Sequence, residues 1–404
     1  MKTNRPPGSP GILLVTVKVT CLAVLMLSSS NVVYAENFGG PDAVPNQLER
    51  DQGAWTTFQK EMAEKGVKFS IDYSTVGLSA SDALEGADDE AASGMLRFYG
   101  SWDLVGKGSP NLGSLIWKVE NRHDYTDTAP KFLLFGTGTQ GLVTPPFSDE
   151  GGRLTNLYWR QRFNGGRSTV VGGLLDVTDY LDVYALASPW TGFMNFAFST
   201  GTNTIALPGD ATLGVAGATM LGDNFFLIGG LADMNSEPTD PLETFDSFFN
   251  DNKYFKSIEL GWTDSQEQIY TDNIHVTLWH ADTSKVQGTD NGWGVNFSGS
   301  RLYGKWLPFL RGGYSKDTGT LFEKSVSAGV GYLGLGGANN TLGIATNWGD
   351  VDGGDDQWMS EIYYLWTVIP QLEITFNYQW VAEPLFNDAE DDITVAGIRL
   401  RLNL

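Results

Sequence analysis

The 404-residue chain has one cysteine, three histidines and few charges, since only 18% of its residues are Asp, Glu, Lys or Arg. A lone cysteine, Cys21, excludes a disulfide framework and a Cys-based metal centre. With only His123, His275 and His280, no carboxylates at metal-ligand spacing and no Gly-x-Ser-x-Gly turn, neither a zinc site nor a nucleophile elbow is encoded, so no catalytic residue, metal or cofactor is expected. Bases are scarce as well. With 26 Lys and Arg against 48 Asp and Glu, the net charge of −22 disfavours nucleic acid as a partner, because binding a phosphate backbone requires an excess of cations. No apolar run of 18 residues follows Ala35, which excludes a transmembrane helix in that part of the chain.

Glycine and aromatics are abundant: 49 Gly, 22 Phe, 15 Tyr and 13 Trp, a composition that disorder and helical bundles do not explain and that β structure does. Residues 1–35 read as an export signal to be removed, with a basic start (Lys2, Arg5, Lys18), a short apolar core over 20–27 and the cleavage-type sequence Val33-Tyr34-Ala35. This segment holds three bases and no acid, so the net charge of −22 becomes −25 without it.

Period-2 alternation then recurs through the chain. Val67, Phe69, Ile71 and Tyr73 alternate with Lys68, Ser70, Asp72 and Ser74; Leu372, Ile374, Phe376, Tyr378 and Trp380 alternate with Gln371, Glu373, Thr375, Asn377 and Gln379. Such segments fit a wall with lipid on one side and water on the other. Further runs start near 94, 113, 153, 167, 211, 224, 253, 273, 291, 306, 323, 340, 357 and 391, which makes sixteen in all. The run from 224 to 233 has no clean polar face and is placed only by its neighbours. The predicted fold is all-β, a sixteen-strand antiparallel transmembrane barrel spanning 67–404, preceded by an N-terminal periplasmic segment, 36–66.

That segment carries an amphipathic helix over 46–65, with Leu48, Trp55, Phe58 and Met62 on one face, expected near the barrel's inner mouth, where it could gate a pore. With both termini inside, short turns alternate with longer outer loops. A strand at 191–199 would make seventeen and break the parity, so 176–210 reads as one long outer loop, expected to fold inward and narrow the pore. Acidic residues gather in the predicted outer loops, among them Glu85, Asp88, Asp240, Glu243, Asp355 and Asp388. The segment 350–356 is rich in oxygen ligands but has no glutamate placed for bidentate coordination, so no calcium site is assigned. Trp102, Trp117, Trp159, Trp262, Trp293, Tyr332, Trp348, Trp358, Trp366 and Trp380 near strand ends fit interfacial girdles.

The segment Gly152-Arg153-Leu154-Thr155-Asn156-Leu157-Tyr158-Trp159-Arg160-Gln161-Arg162-Phe163, followed by Val171 to Asp176, Asp179 and Asp182, resembles the carbohydrate-selective porin family (OprB-type) of Gram-negative outer membranes. So do Phe193, Asn195 and Phe198, and Glu361-Ile362-Tyr363-Tyr364, Pro370, Tyr378-Gln379 and Pro384 near the end. The resemblance implies a sixteen-strand barrel through which sugars diffuse. One departure is the last residue, Leu404, where such barrels commonly finish in an aromatic.

Parity sends Asp72, Arg97, Tyr99, Lys118, Glu120, Arg122, Arg160, Arg162, Trp279 and Glu361 into the lumen as pore-lining, solute-binding candidates. Tyr158, Glu259, His275, Arg311, Glu373, Arg399 and Arg401 point the same way. Arg97, Lys118, Arg122, Arg160 and Arg162 form a basic ladder on strands two to four, with Glu120 beside it. Small residues, Ser325, Ser327, Gly329 and Gly331, leave room on another strand. The expected partners are sugars or other small hydrophilic solutes, outer-membrane lipid and lipopolysaccharide, with homotrimer formation open. A general or ion-biased pore, and a structural or adhesin barrel working through its acidic loops, are the alternatives.

Overall fold

The computed structural model describes residues 57–403 apart from 144, 238, 352 and 353. The expected signal segment 1–35, the first part of the expected helix, 46–56, and Leu404 lie outside the described residues. Sixteen antiparallel strands close on themselves, β1 pairing with both β2 and β16. They are β1 Val67–Ala80, β2 Glu90–Val105, β3 Gly113–Asp124, β4 Gly151–Phe163, β5 Ser168–Leu175, β6 Thr212–Leu221, β7 Phe225–Asp233 and β8 Tyr254–Thr263. The circuit continues through β9 Asn273–Ala281, β10 Gly292–Ser300, β11 Trp306–Lys316, β12 Lys324–Leu333, β13 Thr341–Asp350, β14 Asp356–Ile369, β15 Leu372–Ala382 and β16 Asp392–Asn403. Closure removes every sheet edge, which a bilayer requires of a β structure because its core offers backbone groups no water.

The two wall faces separate as alternation demands. Leu260, Leu278, Leu310, Ile344, Phe376 and Ile398 point outward and are exposed, while Glu259, Thr277, Arg311, Asn347, Thr375 and Arg399 beside them point inward and are buried. Aromatics mark both rims of the outward face: Trp293, Trp348, Trp358 and Trp380 at the outer end, Trp262, Trp306, Tyr332 and Trp366 at the inner end.

Two local features depart from simple alternation. A bulge in β4 opposite Lys118 and Val119 skips Thr155 in the register, so Arg153 faces inward above it and Asn156, Tyr158, Arg160 and Arg162 face inward below it. The helix α1, Thr57–Glu64, corrects the inner-mouth expectation: the Phe58 ring lies 6.0 Å from that of Phe69, an outward-facing residue of β1, which in turn is 6.0 Å from Phe98. An apolar helix face finds its partner on the apolar side of the wall, so α1 sits beside the barrel rim. Two further short helices lie in outer loops, α2 Leu133–Thr137 and α3 Glu243–Asn250.

Candidate functional site

The segment 176–210, between β5 and β6, runs inside the barrel. The Asp176 side chain accepts the Thr178 N–H (2.9 Å) and starts a 3-10 turn that aims the chain inward. From there Ala185 N–H reaches the Tyr270 carbonyl (2.8 Å) and Asn273 Nδ2 donates to the Val183 carbonyl (3.3 Å), both in or next to an inner turn, so the segment descends to the inner end. It then crosses to the far wall. Met194 and Asn195 donate their N–H groups to the two carboxylate oxygens of Glu361 on β14 (2.8 Å each), and Asn195 Nδ2 donates to Gln379 on β15 (2.8 Å). Arg399 on β16 donates to the carbonyls of Pro189 (2.6 Å) and Gly192 (3.0 Å). Returning, Ala197 accepts from Ser327 on β12 (3.0 Å) and Gly201 from Asn296 on β10 (3.0 Å).

The polar centre of this seat is Asp182, which is 1% exposed. Its carboxylate accepts from Arg311, from His275 Nε2 (2.8 Å) and from Gly201 N–H (2.5 Å), while its own N–H donates to Glu259 (2.8 Å). Backbone that leaves the sheet inside a barrel must find donors and acceptors in the wall, and inward Glu, Arg, Asn and Ser supply them. Glycines make the room: a Cβ on Gly313 would lie 1.8 Å from Thr204 Oγ1 and one on Gly331 3.0 Å from the Leu186 side chain.

A second outer loop, 126–152, turns inward at the outer mouth. Leu133, Leu142, Val143 and Phe147 pack with Trp190, Met194 and Ala197 of the first loop, and with Val76, Leu78, Met95, Met359, Val381 and Val395 of the wall. The upper inward face of β1, β2 and β14–β16 is therefore apolar. Alternation by polarity describes only the lower half of β1, because Val76 and Leu78 face protein rather than water.

Two charge clusters occupy what remains. In the first, Arg97 grips Asp72 through Nε (2.8 Å) and an η nitrogen (2.5 Å), Arg401 donates to the same carboxylate (2.9 Å), and the Trp190 ring lies 3.8 Å from the Arg97 guanidinium carbon. Tyr99 reaches Asp72 only at 3.5 Å. This group is sealed, with Asp72 and Arg97 both 0% exposed, and acts as wall architecture. In the second, Arg122 bonds Glu120 (2.6 Å), Glu150 (3.2 Å) and Asp210 (2.8 Å), Arg153 contacts Glu150 and Asp210, and Lys131 contacts Glu150. Lys118 lies 4.0 Å from Asp179, which also accepts from Asn156 (2.9 Å). Water reaches this group at Glu150, Asp179, Lys131 and Asp210, whose side chains are 33, 21, 18 and 15% exposed.

The inward residues proposed from sequence thus separate into three environments. Asp72 and Arg97 are sealed under Trp190; Glu361 and Trp279 serve the loop seat, Trp279 donating to Asn296 (2.9 Å). Lys118, Glu120, Arg122 and Arg160, expected to line the pore, are buried in the charge cluster of β3 and β4 and the loop ends, while Tyr99, Tyr158 and Arg162 are partly exposed. The basic ladder is not a free row of cations: Arg97 and Arg122 are locked by carboxylates. Parity alone missed Arg153, hidden by the bulge, and Asp179, Asp182, Glu150 and Asp210, which sit in loops where alternation has no meaning. In the 350–356 segment, Asp350 accepts from Lys324 (2.6 Å) and Asp356 from Trp348 (2.8 Å), so these two carboxylates are engaged.

Burial opposes ionisation of the loop carboxyls Asp182 and Asp210, yet their neighbours outweigh it and hold both below the usual range: the Arg311 charge and the His275 hydrogen bond for Asp182, the charges of Arg122, Arg153 and Lys118 for Asp210. Glu259 is the remaining charged group at Asp182. A depressed folded-state value means the docked loop gains stability that is complete above the free carboxyl's titration, about pH 3.9, and is lost as pH falls through the lower docked value. As Asp182 and Asp210 take up protons, conductance of the reconstituted protein should rise below about pH 4. A rise centred between pH 5 and 7 would assign control to another group.

Residues 288–404 match the family described as carbohydrate-selective porin, OprB family. That stretch contains Arg311, Ser327, Glu361, Gln379 and Arg399, the wall side of the loop seat. No curated protein matches the chain. Among solved structures, the chain is similar to Pseudomonas putida OprB at high pH, with TM-score 0.68 and 14% identity, over 87% of this chain and 97% of that one. The low-pH structure of the same protein gives 0.52 and 12%, over 88 and 99%. A substituted form of the Rhodopseudomonas blastica porin gives 0.53 and 13%, over 84 and 100%. The fold is that of the sixteen-strand porins.

Proposed function

We propose that this protein is a porin of the Gram-negative outer membrane through which small hydrophilic solutes diffuse, with carbohydrates favoured. The observation that carries this reading is the strip along β2–β5 and the loop ends facing it. Six bases (Lys118, Arg122, Lys131, Arg153, Arg160, Arg162) stand with seven acids (Asp103, Glu120, Asp124, Glu150, Asp176, Asp179, Asp210), beside the phenol rings of Tyr99 and Tyr158. Near balance of charge gives little reason to prefer an ion of either sign. A sugar presents hydroxyls that both donate and accept, together with apolar ring faces, so guanidinium, carboxylate and phenol can replace its water at small net cost. Binding must stay weak for flux to continue.

Lipopolysaccharide is the proposed outer-leaflet neighbour, met by the exposed Lys256, Lys316 and Lys324 at the outer rim. For a homotrimer, the contact we propose is the upper outward face of β16 to β2, where Ala396, Gly77 and Ala92 are small, beside the Tyr73, His123 and Tyr125 rings that cover Gly94.

The test is single-channel conductance in a planar bilayer while glucose and longer oligosaccharides are titrated. A saturable millimolar decrease in current is expected, and Tyr158→Ala should raise the half-blocking concentration about three- to tenfold through loss of ring stacking. A decrease that only follows solution viscosity would favour the general pore.

A further inference from the structure

We propose that α3, in the outer loop between β7 and β8, is an interfacial helix that lies outside the barrel and buries a stripe of Leu242, Phe245 and Phe249 in the acyl region of the outer leaflet. The inference rests on the outer-membrane reading and goes beyond it, because the segment that contacts lipid here is a loop rather than the wall.

The placement follows from Asp233. This residue ends β7 at an outward-facing position, two residues beyond the outward Leu231, and yet is 0% exposed. What covers it is α3: Thr244 Oγ1 donates to its carboxylate (3.1 Å) and so does Ser247 Oγ. Thr244 also accepts the N–H of Leu213 on β6 (3.1 Å). The Phe248 ring stacks edge-on with Tyr254, 5.0 Å away, and Tyr254 OH donates to the Phe248 carbonyl (2.8 Å). Tyr254 is an outward residue opposite Asp233 in the sheet. These contacts to Asp233 and Tyr254, at the outer ends of β7 and β8, set one helix face against the outward side of the wall at its rim.

At 100° per residue the helix then has three faces. Thr244, Ser247 and Phe248 meet the wall. Glu243, Asp246 and Asn250 form a polar face, with Asn250 Nδ2 donating to Asp246 (2.6 Å). Leu242, Phe245 and Phe249 form the third face and are 76, 45 and 68% exposed. Three bulky apolar side chains on one exposed stripe would be unfavourable in water, and here they adjoin the outward apolar band of Leu213 and Val215 of β6 and Leu231 of β7, while Lys256 of β8, paired with Asp282, marks the headgroup edge beside them. Lipid is the occupant because that band already faces it.

The mature chain has no cysteine, since Cys21 lies in the signal segment, so single nitroxide labels can be placed cleanly. In dioleoylphosphatidylcholine vesicles, labels at Phe249→Cys and Phe245→Cys should show an oxygen-to-nickel-chelate accessibility ratio at least about threefold above that at Glu243→Cys. A label on the wall at Leu278→Cys serves as the membrane control. If the Leu278 label is lipid-exposed while 245 and 249 are as aqueous as 243, the helix proposal is overturned and the barrel reading stands; an aqueous Leu278 label overturns both. Dipolar broadening between copies labelled at 249 would also overturn it, by assigning the stripe to a second protein chain.

Discussion

Replacing Arg311 with leucine is expected to release the inner loop and raise single-channel conductance severalfold. Arg311 is 1% exposed and serves the loop through several bonds: to the Asp182 carboxylate, to the carbonyls of Asp182 (3.1 Å) and Ser199 (2.6 Å), and across the face of Tyr184 at 4.3 Å. Leucine removes them together and leaves a buried carboxylate held only by His275 Nε2 and the Gly201 N–H, beside Glu259. Breaking one side of a buried pair costs about 3–5 kcal/mol, enough to undo local docking while the sixteen-strand ladder stays closed. Sensitivity to protease within 176–210 should rise in parallel, and Arg311→Lys should restore part of the wild-type conductance. Conductance and protease resistance both unchanged would mean that Glu361 and Arg399 hold the loop without help.

The second large effect is expected from Asp210→Ala, read as ion selectivity. Asp210 closes the charge cluster from the loop side, accepting from Arg122 at 2.8 Å and contacting Arg153. Both guanidiniums are buried in the wall, 5 and 3% exposed, and cannot turn to water when their partner is lost. A charge-assisted hydrogen bond of this kind contributes about 1.5–3 kcal/mol, and Glu120 and Glu150 remain to offset part of the loss. The strip gains one net positive charge where the side chains meet solvent. Reversal potentials in a potassium chloride gradient should shift toward anions, and the shift should shrink in molar salt, where screening acts within about 3 Å. A shift toward cations, or none at low salt, would place the permeation route away from this cluster.

The pattern-bearing part of the fold was legible because it is local. A strand in a closed wall repeats every two residues, and a residue's environment there is set by its parity, so Ile258 and Leu260 against Glu259 can be read without knowing any partner. Fifteen of the sixteen strands begin within two residues of the sequence reading, and β2 begins at Glu90 rather than 94. Where parity was interrupted the reading lost information. The bulge at Thr155 returned Arg153 to the lumen, and the apolar inward residues Val76 and Leu78 carried no signal of the loop that covers them. The 234–252 connection read only as an acidic loop, because a helix of eight residues with its apolar stripe split between wall and outside gives too short a period to separate from chance.

Composition, the count of strands, their parity and the length of the 176–210 connection were determined by the sequence alone, since each depends on neighbours a few residues apart. Which inward residues are free to meet a solute was decided only by the tertiary structure. Asp182 and Arg311 are 129 positions apart and Asn195 and Gln379 are 184 apart, so their meeting depends on closing the barrel and threading the loop across it. The physical reason is burial: the same arginine on the same wall face is a solute ligand if water reaches it and a structural bolt if a loop carbonyl does, and no period along the chain records which of the two arrives.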